Sequence, residues 1–406
     1  MQETAKTSLF CLAALALAVA AAMVETETTS PEIFSDQGEL FFPRLTDPLA
    51  VKALEVVEYD EATATARPFK VEFRRGRWVL PSHHNYPAEA RDRLAKTAAA
   101  LVDLRKDIVR SDLVQDHYTY AVIDPLDQKV ASLTGRGKRV TLRDGQGEVL
   151  ADLILGQAWK EKPGYRCVRL PGQKRIYAVK TDADPSASFE DWIETDLLKL
   201  SPSAIRRLTV LNYSINERMG RIENAETVIL TREKESWKSP GVEKLNTSAV
   251  NAMMAALDKL KIVGVRPKPP SLTADLKTRG GIQISLESMM SLRPIGFFIT
   301  PDGRLLSNEG ELVVETANGL VYSLRFGEVL PGQAEAGKTR AENRYLFLTV
   351  AHDPAREARY AGPGSAPSST GVALARELTN RFADWYYVIS GADFTRLRPK
   401  RKDLVR

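Results

Sequence analysis

The sequence predicts an α+β fold: two tandem duplicated domains, each a mostly antiparallel sheet with a packed helix, after an N-terminal membrane helix. Three observations predict it. A strand-like unit carrying Trp-x-x-Pro and running into a helix-like segment occurs twice, at Lys70–Pro81 and at Thr227–Pro240. Each copy is followed by short period-2 runs separated by Gly, Asp and Pro, the pattern of antiparallel strands built around a helix. An unbroken apolar run, Leu9–Val24, stands at the start of the chain.

That run is a little shorter than the roughly 20 residues a spanning helix prefers. Lys6 and the amino terminus precede it and Glu25, Glu27 and Glu32 follow, so the positive-inside bias puts the N-terminus in the cytoplasm and the bulk of the chain outside. Ala18, Ala20 and Ala22 also suit signal peptidase, and the stretch reads either as an anchor or as a cleaved signal. The expected organisation is 1–25 membrane anchor or signal peptide, 26–48 tether, 49–203 first α+β repeat, 204–395 second repeat and 396–406 basic tail. The expected location is the cell inner membrane, crossed once, with the bulk of the chain periplasmic. Within the tether, Leu40-Phe41-Phe42 is an apolar cluster suited to dock on the first repeat.

In the first repeat, Val51–Tyr59 reads as a strand and Val71–Leu80 as a hairpin turning at Arg75-Gly76, with Trp78 on its buried face. The helix expected near Pro87–Val109 carries Leu94, Ala98, Leu101, Leu104 and Ile108 at three- and four-residue spacing. Strands are expected at Tyr118–Val122, Val140–Leu142, Val149–Leu155, Tyr165–Leu170 and Arg175–Val179. The second repeat matches with a strand at Ile205–Tyr213, then a helix near Thr247–Val263 capped at Asn246, Thr247 or Ser248. Its stripe of Val250, Met253, Met254, Leu257 and Leu260 is core spacing rather than a soft binding groove. Its strands are expected at Ile282–Leu286, Gly296–Thr300, Leu312–Thr316, Val321–Phe326 and Tyr345–Val350. A last helix carries Leu374, Leu378, Phe382 and Trp385, and the two copies end on Phe189-Glu-Asp-Trp192 and Phe382-Ala-Asp-Trp385.

No catalytic constellation emerges. Gly332-Gln-Ala-Glu-Ala-Gly337-Lys338-Thr339 matches the P-loop expression letter for letter, but that loop needs a strand before it and a helix after it. Here Leu330-Pro331 precedes it and a strand is expected after it, so no nucleotide partner is assigned. His83 and His84 lie in a loop, and His117 and His352 stand apart from them. The two cysteines, Cys11 and Cys167, cannot form a disulfide within the exported part or a cysteine-based zinc site. Catalytic, cofactor and metal residues are therefore expected to be none. A net charge of +5 over 406 residues, with no stripe of bases and aromatics, gives no sign of a nucleic-acid partner. The tail with Arg396, Arg398, Lys400, Arg401, Lys402 and Arg406 reads as a solvated end or as a contact for anionic lipid or an acidic partner. Phe382, Trp385, Tyr386 and Tyr387 read as core.

The Trp-x-x-Pro unit, Asp124-Pro125, the strand end Leu155-Gly156 and the Phe-x-Asp-Trp segment leading to Asp196-Leu197-Leu198 resemble the domain-of-unknown-function family 4340, over most of the chain after about residue 45. The resemblance implies a membrane-anchored extracytoplasmic component associated with ABC-type transport systems, including those linked to gliding motility. It carries over no catalytic residues. The function expected is thus a non-enzymatic accessory or scaffold subunit of a membrane complex, with protein partners and a membrane contact through the N-terminal helix. The alternative is an envelope polysaccharide- or peptide-binding module.

Overall fold

The computed structural model describes residues 36–405 except 217–218, 220, 279–281, 283–284, 332–341 and 362–368. Leu9–Val24, the first part of the tether, the P-loop match and Arg406 lie outside the described residues. Among the described residues no helix is long and apolar enough to cross a membrane.

The first half comprises β1 (Ala53–Asp60), β2 (Thr65–Arg74), β3 (Arg77–Leu80), β4 (Tyr86–Pro87), helix α1 (Arg91–Ala99), β5 (Ile108–Ser111), the short helix α2 (Asp116–Thr119), β6 (Lys138–Arg143), β7 (Val149–Ala158), β8 (Tyr165–Arg169) and β9 (Ile176–Lys180). Its strands form one antiparallel sheet in the order β4-β3-β2-β1-β6-β7-β8-β9-β5. The second half opens with β10 (Ile205–Asn216), β11 (Arg221–Glu233), β12 (Ser236–Lys238), α3 (Thr247–Asp258) and β13 (Ile262–Pro267). There follow α4 (Pro270–Thr278), α5 (Leu286–Leu292), β14 (Phe297–Ile299) and β15 (Leu305–Ser307). The chain then returns through β16 (Glu311–Thr316), β17 (Leu320–Pro331), β18 (Glu342–His352), α6 (Pro354–Ala361), α7 (Ser369–Ala383) and β19 (Trp385–Ile389), and ends in α8 (Gly391–Leu397) and α9 (Arg401–Leu404). The second sheet runs β12-β11-β10-β16-β17-β18-β19-β13, and β14 pairs only with β15.

Local chemistry accounts for the elements that the sequence made legible. Arg75 and Gly76 take φ of 50° and 80°, the positive pair that a two-residue type I′ hairpin turn needs. Arginine pays strain there that asparagine largely avoids, so Arg75→Asn is expected to stabilise the protein by about 1 kcal/mol, read as a higher urea midpoint at unchanged slope. Asn246 caps α3, its side chain accepting from the amide of Ala249. Val250, Met253, Met254 and Leu257 turn inward from that helix, and all are buried.

Helices α1, α3 and α7 lie on one face of each sheet, and these two faces do not bury separate cores. Leu54, Phe69, Leu94, Val140, Trp192, Leu208, Leu257, Tyr322 and Phe382 belong to a single continuous cluster. The seam shows in direct contacts: Tyr86 meets Trp385 edge-on at 5.0 Å, and Tyr322 Oη donates to the Leu198 carbonyl at 3.2 Å. The opposite face of the second sheet carries Tyr345, Phe347, Tyr386 and Val388, which α4, α5 and the β14–β15 hairpin cover in a second cluster. The opposite face of the first sheet has only a small cluster of Val122, Ile154, Cys167 and Ile176.

Several expectations are corrected. The helix expected to run to Val109 stops at Ala99; Leu101 and Leu104 are buried in the turns beyond it, and Ile108 opens β5. The second helix likewise stops at Asp258. Tyr118–Val122 is not a strand but the end of α2 and a turn, and Leu286 starts a helix. The latter half of the tether is docked: Phe41, Phe42 and Leu45 are buried, the Phe41 amide donates to the Leu104 carbonyl at 2.8 Å, and Tyr177 Oη donates to the Asp36 carboxylate. The two Phe-x-Asp-Trp segments are not equivalent. Phe189–Trp192 is a turn of 3-10 helix after β9, whereas Phe382 lies in α7 and Trp385 opens β19, which pairs with the earlier strands β13 and β18. The basic tail is folded, with Leu397 and Leu404 buried, Arg398 on Glu309 at 2.6 Å and Asn212 donating to the Pro399 carbonyl at 3.0 Å, while Arg396, Lys400, Arg401 and Lys402 stay exposed.

Candidate functional site

The connection between β5 and β6, residues 112–137, crosses the face of the first sheet that carries no long helix. Period-2 alternation decides what it meets there. Val140, Leu142, Leu153 and Val168 point into the shared core, so Arg139, Thr141, Asp152 and Arg169 point to the other side. Glycine lets the chain lie close: a Cβ on Gly156 would stand 2.4 Å from the Tyr120 carbonyl oxygen.

Three arginines hold the connection down. Arg136 donates to the carbonyls of Asp124, Asp127, Val130 and Ser132 at 2.6–3.0 Å while its guanidinium lies 4.2 Å from the Tyr59 ring centre. Arg169, 5% exposed, donates to the carbonyls of Val122, Leu170 and Gln173. Arg139 grips Asp152 with two hydrogen bonds, at 3.0 and 2.7 Å, and reaches Asp124 at 3.0 Å. The Asp152 hydrogen bond holds its pKa above the ordinary value, while burial pulls Arg169 below it. His117 Nε2 meets the Lys174 carbonyl at 2.8 Å, which fixes the Nε2–H tautomer, and burial pushes its pKa down.

Between this connection and residues 169–174 lies a cleft of about 650 Å³. Its polar lining, Arg139, Arg169, Asp124 and His117, is taken up in holding the loop. Its apolar lining is not: Val114, Tyr118 and Leu126 reach the rim, and with Leu113 and Leu133 they are 45–57% exposed. Leu113, Val114, Tyr118, Leu126 and Leu133 thus stand as five exposed large apolar side chains on one clamped loop. Of the other polar groups lining the cleft, Ser132 Oγ donates to the Thr134 carbonyl at 2.9 Å.

The residues singled out from the sequence do not converge on this cleft, His117 and Asp124 excepted. His83 stacks on Phe189 at 4.6 Å, and burial, with His84 beside it, brings its pKa down to about 4. His84 is exposed, and His352 Nε2 lies 2.8 Å from Glu357. Among the described residues no three His, Cys, Asp or Glu side chains are grouped so as to hold a metal ion. The P-loop match is flanked by two paired strands, Pro331 opposite Glu342, so the chain leaves it as a strand and not as a helix. Trp192 is buried, and Trp78, Trp237 and Trp385 are half-buried against the shared core rather than aligned in a groove. Sequence reasoning missed the arginine clamp altogether, because the acceptors of Arg136 and Arg169 are backbone carbonyls that leave no signature in residue types, and those of Arg139 lie 13 and 15 residues away on other elements.

No curated protein and no solved structure matches the chain. The family model described as a domain of unknown function, DUF4340, matches residues 78–279, from β3 through α4, and supports the resemblance drawn from Trp78, Pro81 and the Phe189–Trp192 segment.

Proposed function

We propose that the protein is a non-enzymatic extracytoplasmic accessory or scaffold subunit of a membrane complex of the ABC-transport type. In this reading Leu9–Val24 tethers it to the inner membrane and the two sheets stand in the periplasm as tandem copies of one domain. The observation that carries the reading is the rim of Leu113, Val114, Tyr118, Leu126 and Leu133, held rigid by Arg136, Arg139 and Arg169. A loop ordered in advance loses little entropy on binding, which is what a constitutive subunit contact needs. Tandem duplication is supported by strand order. Reading from β3 or from β12, each sheet passes through a hairpin, its first strand, a three-strand meander and a penultimate strand to an edge strand that follows the helix. In the second copy α4 and α5 cover the face that the first copy leaves to its cleft.

The test is a mild-detergent pull-down of the tagged full-length protein from its own membranes. A permease and an ATPase recovered in near-equal amounts support the reading, and recovery of the protein alone sinks it. Tyr118→Asp with Leu126→Asp, both at exposed positions, is expected to cut that recovery about tenfold or more while the thermal midpoint stays within about 2 °C of wild type.

A further inference from the structure

At the other end of the same sheet face, the β7–β8 hairpin brings aromatic and cationic side chains together with β5. The Arg110 guanidinium carbon lies 4.1 Å from the Trp159 ring centre and 5.2 Å from that of Tyr120. Lys162 Nζ lies 3.8 Å from the Tyr165 ring centre and 5.9 Å from that of Trp159, and the two rings meet edge-on at 6.3 Å. The loop carrying them is fixed by its own backbone: Trp159 N donates to Tyr165 O at 2.8 Å, and Lys162 N to Trp159 O at 3.2 Å. All of these side chains are partly open to solvent.

Arg110 differs from the other arginines of this face. Arg136, Arg139 and Arg169 spend their donors on carbonyls or carboxylates. Arg110 makes no hydrogen bond or ion pair with a described residue, and its Nε is buried without an acceptor. A desolvated guanidinium donor left unmade is costly, and stacking on two rings offsets only part of that cost. The two terminal nitrogens of Arg110, unlike its Nε, reach solvent and have no acceptor among the described residues, so the edge of the guanidinium can take a planar anion from outside.

We infer that Arg110, Lys162 and Trp159 form a binding site for a carboxylate-bearing sugar of an acidic polysaccharide. The carboxylate takes the Arg110 fork, with Lys162 as a second positive charge, and the apolar face of the pyranose packs on Trp159 beside Tyr165. A planar fork prefers a carboxylate, and Glu161 in the same loop disfavours the denser negative charge of a phosphate or sulfate. The inference does not rest on the accessory-subunit reading, and its test needs no partner protein.

The experiment is a titration of the full-length protein, followed by tryptophan fluorescence, with three probes: tetragalacturonate, neutral galactotetraose and tetraglutamate. Tetragalacturonate is expected to bind saturably and the other two not. Arg110→Gln weakens that binding roughly tenfold or more, Lys162→Gln several-fold, and Arg110→Lys fails to restore it, because an ammonium cannot reproduce the bidentate fork. Trp159→Phe removes most of the fluorescence change. Thermal midpoints show that each variant is folded; if Arg110→Gln is not, Lys162→Gln at the loop surface decides. Lack of saturation with tetragalacturonate overturns the inference, as does equal binding by Arg110→Gln. Equal affinity for tetraglutamate overturns the saccharide assignment.

Discussion

Replacing Trp192 with alanine is expected to lower stability by about 3–5 kcal/mol, and to do so for both halves in a single transition. Trp192 is 1% exposed, its Nε1 donates to the Ser186 carbonyl at 2.9 Å, and its ring lies 6.1 Å from Phe69. Its own carbonyl accepts from the Glu89 amide at 2.8 Å, tying the segment to the entry of α1. Neighbouring Phe189 packs on Tyr86, which in turn packs on Trp385 of the second half. The truncation thus opens a cavity in the core the halves share. Urea unfolding followed in parallel by circular dichroism and by the fluorescence of the remaining tryptophans reads the result. Two separate transitions, with the second at the wild-type midpoint, would refute the shared core.

The second large effect falls on Lys268. Its side chain is 5% exposed, and its Nζ donates to the carbonyls of Phe382 at 2.7 Å and Trp385 at 2.5 Å, with the Phe347 ring centre 4.3 Å away. The residue closes the C-terminal end of α7, where helix carbonyls have no partner of their own. Burial drives its pKa well below the ordinary lysine value, against the opposing pull of Asp384. Lys268→Ala leaves two buried carbonyls unpaired beside a void and is expected to cost about 3–5 kcal/mol. The sign of the pH dependence follows from linkage. Between the depressed folded pKa and the unfolded value near 10.4, the unfolded chain holds a proton that the folded chain does not, so stability rises with pH across that window. One such proton contributes about 1.4 kcal/mol per pH unit, to be read on the alkaline side up to the unfolded value. Lys268→Met keeps the stem volume and is expected to remove that slope. An unchanged slope would show that Lys268 is charged in the folded protein.

What was legible in the sequence was local. The hairpin at Arg75-Gly76, the Asn246 cap and the stripe of α3 follow from a few adjacent residues, and the structure has them. The Phe-x-Asp-Trp match misled because four residues at helical spacing suit a 3-10 turn and also the junction of a helix with a strand. Tyr118–Val122 misled in a related way. Tyr-Thr-Tyr-Ala-Val is rich in the aromatic and β-branched residues that favour strands, but the segment runs from exposed Tyr118 to buried Val122 without alternating. Of the cleft, only His117 and Asp124 were singled out in the sequence, and nothing there put them together. Arg169 finds its acceptor at Val122, and Arg110 finds its ring at Trp159, across distances in sequence that only the strand order closes. The surface of interleaved bases and aromatics was absent as a stripe because it is assembled from β5 and the β7–β8 hairpin.

The shared core also bears on how the chain is made. Synthesis delivers the first sheet before β10 to β19 exist, so Phe69, Tyr86 and Trp192 spend that interval with one side of their packing missing. A half-built protein of this kind presents a greasy face to whatever surrounds it until its later residues arrive. Factors that shield nascent or newly exported chains would therefore act on the first half alone, and slowing elongation between the halves would lengthen the exposure and raise aggregation.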